Sequence, residues 1–455
     1  MVNWLLPVAM FPKTFTNFFF ENMAQIAFPI FLIFVLVKLY LQPALVNELV
    51  PERRTLQIWG AMVGIQFILF GWQVIRHNES IHTYGLLHGW MAFVQLLIII
   101  WAAYAVQKVF IRDGIDVEMF IRSLVVTLAV YLVFVVVPQL LVTLHLPFTG
   151  WTNALAGLFE RHWADRSWYD DGSYVATINR VNGFEPEVPF LVMLLGLVFS
   201  PVLIGIVHEP ILRRLRIGRQ LQYMTWFLMV LLTFVFLSVR ASSGYMMLAL
   251  LGFFTVVSAP RKYRKIWLSI MAAGVVVVIA AYMVVPFVHD LLDRWIFNKS
   301  GTDNRLGGTI GLAKTFLSHP FLGVGFGNEG YFIEQYLPEW SKHNSEYINV
   351  YSKMAYPVLN DMLGWLARYG AVVVLSGLWL LGGVVVRAVR AYQNILQDER
   401  PVASYYRIAL RAFTIMVPLT LIVSCITQIN AFSWPMLLMY FFYWRVIHLA
   451  EESKN

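Results

Sequence analysis

Charge is what this chain has least of. Asp, Glu, Lys and Arg together make up 13% of its 455 residues, about half the share of a soluble domain. That excludes a water-facing globular surface over most of the chain. There is one cysteine, Cys425, inside an apolar run. It excludes a disulfide framework and a thiolate metal centre. Long alternating apolar and polar stretches are missing, which sets aside a membrane β-barrel. No small-residue cleavage site of a secretory leader stands at the start. There is no internal repeat and no low-complexity segment. The basic excess, formally +8, falls in short loops, and nothing in it has the form of a nucleic-acid surface.

What is present is apolar: 59% of residues are hydrophobic, in continuous runs. An all-α, polytopic integral membrane protein follows, read as one transmembrane domain over residues 1–455. Runs long enough to cross ~30 Å of hydrocarbon lie at Ala24–Leu41, Thr55–Ile75, Tyr84–Val106, Phe120–Leu144, Val188–Val207 and Gln220–Val239. Others lie at Gly244–Ser258, Ile266–Val288, Met362–Val386, Phe413–Gln428 and Phe432–Leu449. That makes about eleven spans. Met1–Asn17, broken by Pro7, Pro12 and Lys13, is either interfacial or a twelfth. Five basic loops fall on one side of this map. They hold Arg53 and Arg54; Lys108 and Arg112; the arginines between 213 and 219; the cations between 261 and 265; and the arginines from 387 to 411. By the positive-inside rule that side is cytoplasmic.

Two long segments, 145–187 and 289–356, lie on the other side. The second is far longer than an ordinary connection, which points to function. Both are rich in Trp, Tyr, Asp, Glu, Asn and His. Rings that stack on sugar faces and amides or carboxylates that bond hydroxyls suit glycan recognition. Any single ring serves equally as an interfacial belt residue.

The residues able to carry chemistry sit at the outer ends of spans. Arg180, Arg240 and Arg305 all map to that depth. A guanidinium is always charged and forms forked pairs with phosphate oxygens, so three of them suit a lipid-linked pyrophosphate. Snorkelling or pairing with nearby acids explains each one alone. Glu185 and Glu187 flank Pro186 and either pair with Arg180 or supply a base. His343 is the preferred general base, with Asn344 and Glu346 to orient it. A solvated loop histidine is the plainer reading, and His77, His82, His88 and His319 are rivals. Asp170 and Asp171 offer hard oxygens, but Asp-Asp-Gly reads as a solvated turn, and no metal constellation emerges. Arg305 opens a stretch in which an amphipathic turn or two leads through His319 and Pro320 to Gly323, Gly325 and Gly327. Alternate glycines permit close backbone approach to a ligand; they equally suit a structured loop with a helix C-cap.

Three local patterns resemble the O-antigen ligase and polymerase superfamily. They are Arg180, Gly183, Glu185 and Pro186 before a span; Ser238 and Arg240 ending one; and Arg305 followed by Pro320-Phe321-Leu322-Gly323-x-Gly325-x-Gly327. The likeness covers roughly 180–370. The family's His-Asn before the next span is here Leu359-Asn360-Asp361, leading to Gly370, so Asn360 is kept and the histidine is not. The resemblance implies an inverting, metal-independent glycosyl transfer without cofactor, at the periplasmic face of the inner membrane. The donor it implies is an oligosaccharide on undecaprenyl pyrophosphate, and membrane lipid and a chain-length regulator protein are the implied partners. The Glu-Pro pattern favours a polymerase. The alternatives are a ligase that transfers glycan to lipid A-core and, in another class, a flippase or transporter. The loop RHNESIHTY has no Asp-x-Asp motif, which counts against a metal-dependent lipid-linked glycosyltransferase.

Overall fold

The computed structural model describes residues 1–10, 27–51, 53–77, 86–163, 166–214, 216–293 and 302–453. They form helices and connections, with no β-strand among the described residues. The principal helices are α1 (Ala27–Leu41), α2 (Arg53–His77), α3 (Leu86–Phe110), α4 (Gly114–Thr143), α5 (Val188–Val207) and α6 (Arg216–Ser238). They continue with α7 (Ser242–Ser258), α8 (Arg261–Val284), α9 (Thr302–Ser318), α10 (Asp361–Asn394), α11 (Pro401–Ser424) and α12 (Trp434–Glu452). Every expected span falls on one of these helices. Among the described residues, 8 helices are long and apolar enough to cross a membrane, and α1 and α7 are shorter apolar helices. The 19-residue α12 is not in that set and bears Arg445, His448, Glu451 and Glu452 in its second half. The protein is an all-α, multi-pass membrane protein. Of the stretch weighed as a span over Met1–Asn17, the described residues 1–10 form two short helical pieces, Val2–Trp4 and Leu5–Ala9, with Leu5, Leu6 and Ala9 buried, and residues 11–17 lie outside the described residues. His82 and the first residues of the spans expected from Ala24 and Tyr84 also lie outside the described residues.

A helix that is apolar all round is either core or lipid-facing. The central α5 is the first kind, buried along nearly its whole length; α8 is the second, with no buried residue. Both α4 and α5 widen into a π turn, Leu132–Val136 and Leu194–Phe199, just before Pro138 and Pro201. Proline lacks the N–H and crowds the carbonyl four residues back. The wider turn relieves that clash. The Phe134 carbonyl, four residues before Pro138, accepts instead from the indole of Trp151 at 2.8 Å.

The two ends of the bundle differ in kind. At one end, Arg407 pairs with Glu209 at 3.0 Å, both buried. Arg445 there donates to the Ile111 carbonyl at 2.9 Å, and Arg387 holds Glu451 at 2.6 Å. The other end carries the loop from α4 to α5, the turn at Arg240, the 302–360 region and the short link from α11 to α12.

Two features of that second end were not expected. A helix of 17 residues, Thr302–Ser318, takes in Arg305, in place of a turn or two after it. Its glycines obscure it, since glycine is a poor helix former. They are there for contact: a Cβ on Gly307 would meet Ser341 at 2.4 Å, one on Gly308 would meet Tyr356 at 2.8 Å, and one on Gly311 would meet Ile333 at 2.9 Å. Second, α10 is broken at Gly370 (φ 72°), and the Gly323–Gly327 segment lies in the break. Val324 and Gly325 N–H donate to the Ala367 and Arg368 carbonyls, both at 2.9 Å. Ala371 and Val372 N–H donate to Pro320 and Phe321 carbonyls at 2.8 and 3.1 Å. The loop thus replaces the helical bonds lost at the break, as buried backbone groups require. The close approach that the glycines permit is to another backbone. Beneath the loop, Arg368 pairs with buried Glu329 and lies 5.1 Å from the Phe326 ring.

Candidate functional site

The loop before α5 is a clamped turn. Asn179 is left-handed (φ 58°), as Asn tolerates. Gly183 is left-handed too (φ 64°), and a Cβ there would lie 2.2 Å from the Tyr131 hydroxyl. Gln139, near the outer end of α4, reads the turn with both ends of its amide. Its Oε1 accepts from Gly183 N at 2.7 Å and Asn182 N at 3.2 Å, and its Nε2 donates to Gly183 O at 2.7 Å. Asn182 in turn donates to buried Glu160 at 2.7 Å and to the Glu185 carbonyl at 2.6 Å. Pro189 at the start of α5 ends the loop. Glu185 and Glu187 are therefore presented by fixed backbone.

Arg180 and Arg240 meet directly. Arg180 Nε donates to the Arg240 carbonyl at 3.2 Å. Arg240 is left-handed (φ 56°), a state in which the Cβ of an L-residue crowds the following carbonyl oxygen, and one that clusters at functional sites. Its guanidinium donates to the Asn179 carbonyl at 3.0 Å and the Thr143 carbonyl at 3.2 Å. It thereby ties the ends of α4 and α6 to the turn that bears Arg180.

Glu187 joins these to the third arginine. Its Oε1 accepts from the Trp163 indole at 3.0 Å. Burial pushes its carboxyl above the ordinary range. The Trp163 bond and the nearby guanidiniums of Arg180, Arg166 and Arg305 pull the other way. Arg305, exposed in the first turn of α9, makes a bond from Nη1 to Thr427 Oγ1 at 3.2 Å. Glu185 behaves differently. Burial raises its carboxyl as well, and Arg161 alone opposes. Its side chain lines a cleft with Phe190, Leu194, Ile429, Asn430 and Ser433.

The structure thus brings Arg180, Arg240, Arg305 and Glu187 together at one end of the bundle, with Glu185 two residues from Glu187. His343 stands apart: its ring is exposed and makes no hydrogen bond or ion pair among the described residues. Asn344 and Asn360 are placed as braces. Asn344 caps the helix Ser345–Asn349 and donates to the Ser341 carbonyl at 2.6 Å. Asn360 caps α10, accepting from Leu363 N at 3.0 Å, and donates to the Cys425 carbonyl at 2.7 Å. Asp361 accepts from Ile429 N at 3.0 Å, so both hold the link that bears Thr427. Asp170 and Asp171 are exposed in the turn before Gly172. His319 lies against Phe332, 5.0 Å between ring centres. Among the described residues, no group of three or more His, Cys, Asp or Glu side chains is placed to hold a metal ion.

Sequence reading missed Arg166. It pairs with Glu346 at 3.2 Å, and Asn304 donates to the other oxygen of Glu346 at 2.8 Å. This network joins the 145–187 loop to α9. The one local sign was an arginine among tryptophans, in RHWADRSW. Neither the models of known protein families nor the sequences of curated proteins give a match to this chain.

Proposed function

We propose that this protein is a glycosyltransferase of the bacterial inner membrane that polymerises undecaprenyl-pyrophosphate-linked oligosaccharide repeats into O-antigen or a related surface polysaccharide. The observation that carries the reading is that Arg180, Arg166 and Arg305 all lie near enough to Glu187 to favour its charged form, with Arg305 bonded to Thr427 and Arg180 to the Arg240 carbonyl. Guanidiniums at the mouth of a membrane bundle suit a diphosphate whose lipid tail lies in the bilayer. The basic loops mark the opposite end as cytoplasmic by the positive-inside rule, which supports a periplasmic site.

In this reading the acceptor hydroxyl of a second lipid-linked repeat attacks the anomeric carbon from the side opposite the pyrophosphate, with inversion. The guanidiniums stabilise charge as it develops on the departing pyrophosphate. Glu187 offsets their mutual repulsion and holds them in register. The test is reconstitution with lipid-linked repeats. The wild type is expected to give ladders on the carrier lipid, and Arg305→Ala, folded to the same extent, to give none. Long chains from Arg305→Ala would remove Arg305 from the site; transfer to lipid A-core in place of ladders would replace the polymerase by the ligase.

A further inference from the structure

Glu185 is a carboxylate with no hydrogen-bond donor to its side chain among the described residues, although its backbone is fixed on both sides. Glu185 N donates to the Asn182 carbonyl at 3.1 Å, and the Glu185 carbonyl accepts from Asn182 Nδ2 at 2.6 Å. A structural carboxylate at such depth is normally paired or hydrogen-bonded. Its neighbour Glu187 is hydrogen-bonded, accepting from the Trp163 indole at 3.0 Å. Part of the Glu185 side chain opens instead onto the cleft of about 20 Å³. That volume admits a hydroxyl or a water and not a sugar ring. The far wall bears two polar side chains, Asn430 and Ser433.

Both walls of the cleft adjoin, along the chain, residues that interact with the arginines. On one, Glu185 is two residues from Glu187, whose charged form Arg180, Arg166 and Arg305 favour. On the other, Ile429 and Asn430 follow Thr427, which bonds Arg305. Asp361 holds that wall by its bond from Ile429 N at 3.0 Å.

We propose that Glu185 is the general base of the glycosyl transfer, accepting the proton of the acceptor hydroxyl that enters this cleft. The inference rests on the glycosyltransferase reading above. As the acceptor oxygen forms its bond to the anomeric carbon, the bond from that carbon to the pyrophosphate oxygen breaks. The electron pair leaves with the pyrophosphate, held by the guanidiniums. The hydroxyl proton passes to the Glu185 carboxylate and later to water. The carboxylate suits this use because no side-chain hydrogen bond among the described residues claims its lone pairs. His343, whose ring is exposed, has no comparable seat.

The charged and titratable groups facing Glu185 are Arg161, which favours its ionised form, and the phenol of Tyr131. The 429–436 wall contributes none. Burial outweighs Arg161 and raises the carboxyl. A base must be ionised, so the acid limb of kcat/KM lies above the ordinary carboxylate range.

The experiment uses the full-length protein in nanodiscs, with Glu185→Gln, Glu185→Asp and His343→Ala beside the wild type. Undecaprenyl pyrophosphate is the binding probe, and elongation of lipid-linked repeats is the activity. Glu185→Gln is expected to bind the probe as the wild type does and to lose about 100-fold or more in kcat, the usual weight of a general base. Glu185→Asp is expected to keep partial activity with a displaced acid limb. Near-normal turnover by Glu185→Gln, or a loss of that size in His343→Ala alone, overturns the assignment. Probe bound by the wild type without any glycosyl transfer overturns the reading beneath it instead. Should Glu185→Gln lose probe binding as well, Glu185 is a scaffold residue and the proposal fails.

Discussion

Glu185 and Glu187 show how two identical side chains, two positions apart, come to differ. Glu187 has an indole N–H and three guanidiniums about it; Glu185 has burial opposed by one arginine. The folded value of Glu185 lies above its unfolded value. Between those two values the folded protein holds the proton more tightly than the unfolded chain. The contribution of Glu185 to stability is therefore greatest on the acid side and falls as pH rises through that window. Glu185→Gln removes this dependence. Its melting temperature at pH 7.5 is expected to match or exceed that of the wild type, with a flatter profile toward acid. A clear loss of stability at pH 7.5 would mean that the carboxylate is paired after all. The residue scale is also where the sequence was least informative. Glu185, Glu187 and the arginines stood out as ionisable groups at span ends. Which carboxylate meets which arginine depends on Gln139 and Asn182, whose roles are set by contacts 44 and 22 residues away.

At the scale of elements, the spans were legible because hydrocarbon solvation acts on every residue of a run, so composition alone reveals them. The glycines were not. Gly323, Gly325 and Gly370 are explained by a partner in another element, and a motif cannot name its partner. Alternate glycines look alike whether they approach a phosphate or a broken helix. The structure gives the broken helix: a Cβ on Gly370 would lie 2.2 Å from the Phe321 carbonyl oxygen, and one on Gly323 would lie 2.5 Å from Arg368 backbone. Gly370→Ala meets both that clash and a positive φ. It is expected to cost about 2 kcal/mol or more, measured by unfolding in detergent. A change below about 0.5 kcal/mol would show that the loop does not fill the break as described. The glycine face of α9 teaches the same point, since Gly307, Gly308 and Gly311 weaken the helix signal while permitting its packing.

For the whole molecule, the central assertion is one of sidedness. The basic loops, with the Arg407–Glu209 and Arg387–Glu451 pairs, lie at one end; the clamped turn, Arg240, α9 and the Thr427 link lie at the other. The lone cysteine offers a direct probe, because Cys425 is exposed and its carbonyl accepts from Asn360 in the site end. A membrane-impermeant maleimide is expected to label it in intact spheroplasts and to spare it in inside-out vesicles. The reverse pattern would turn the arginine cluster toward the cytosol and end the periplasmic reading.

Arg180 and Arg305 stand more than a hundred positions apart in the chain, and the account stands on their acting together on a diphosphate. Equilibrium binding of undecaprenyl pyrophosphate to the protein in nanodiscs tests this most directly, for the wild type against Arg180→Ala and Arg305→Ala. Losing one charge-assisted contact is worth about 1.5–3 kcal/mol, so each variant is predicted to bind roughly 10- to 100-fold more weakly, with the fold intact. Equal affinity for all three proteins would contradict it.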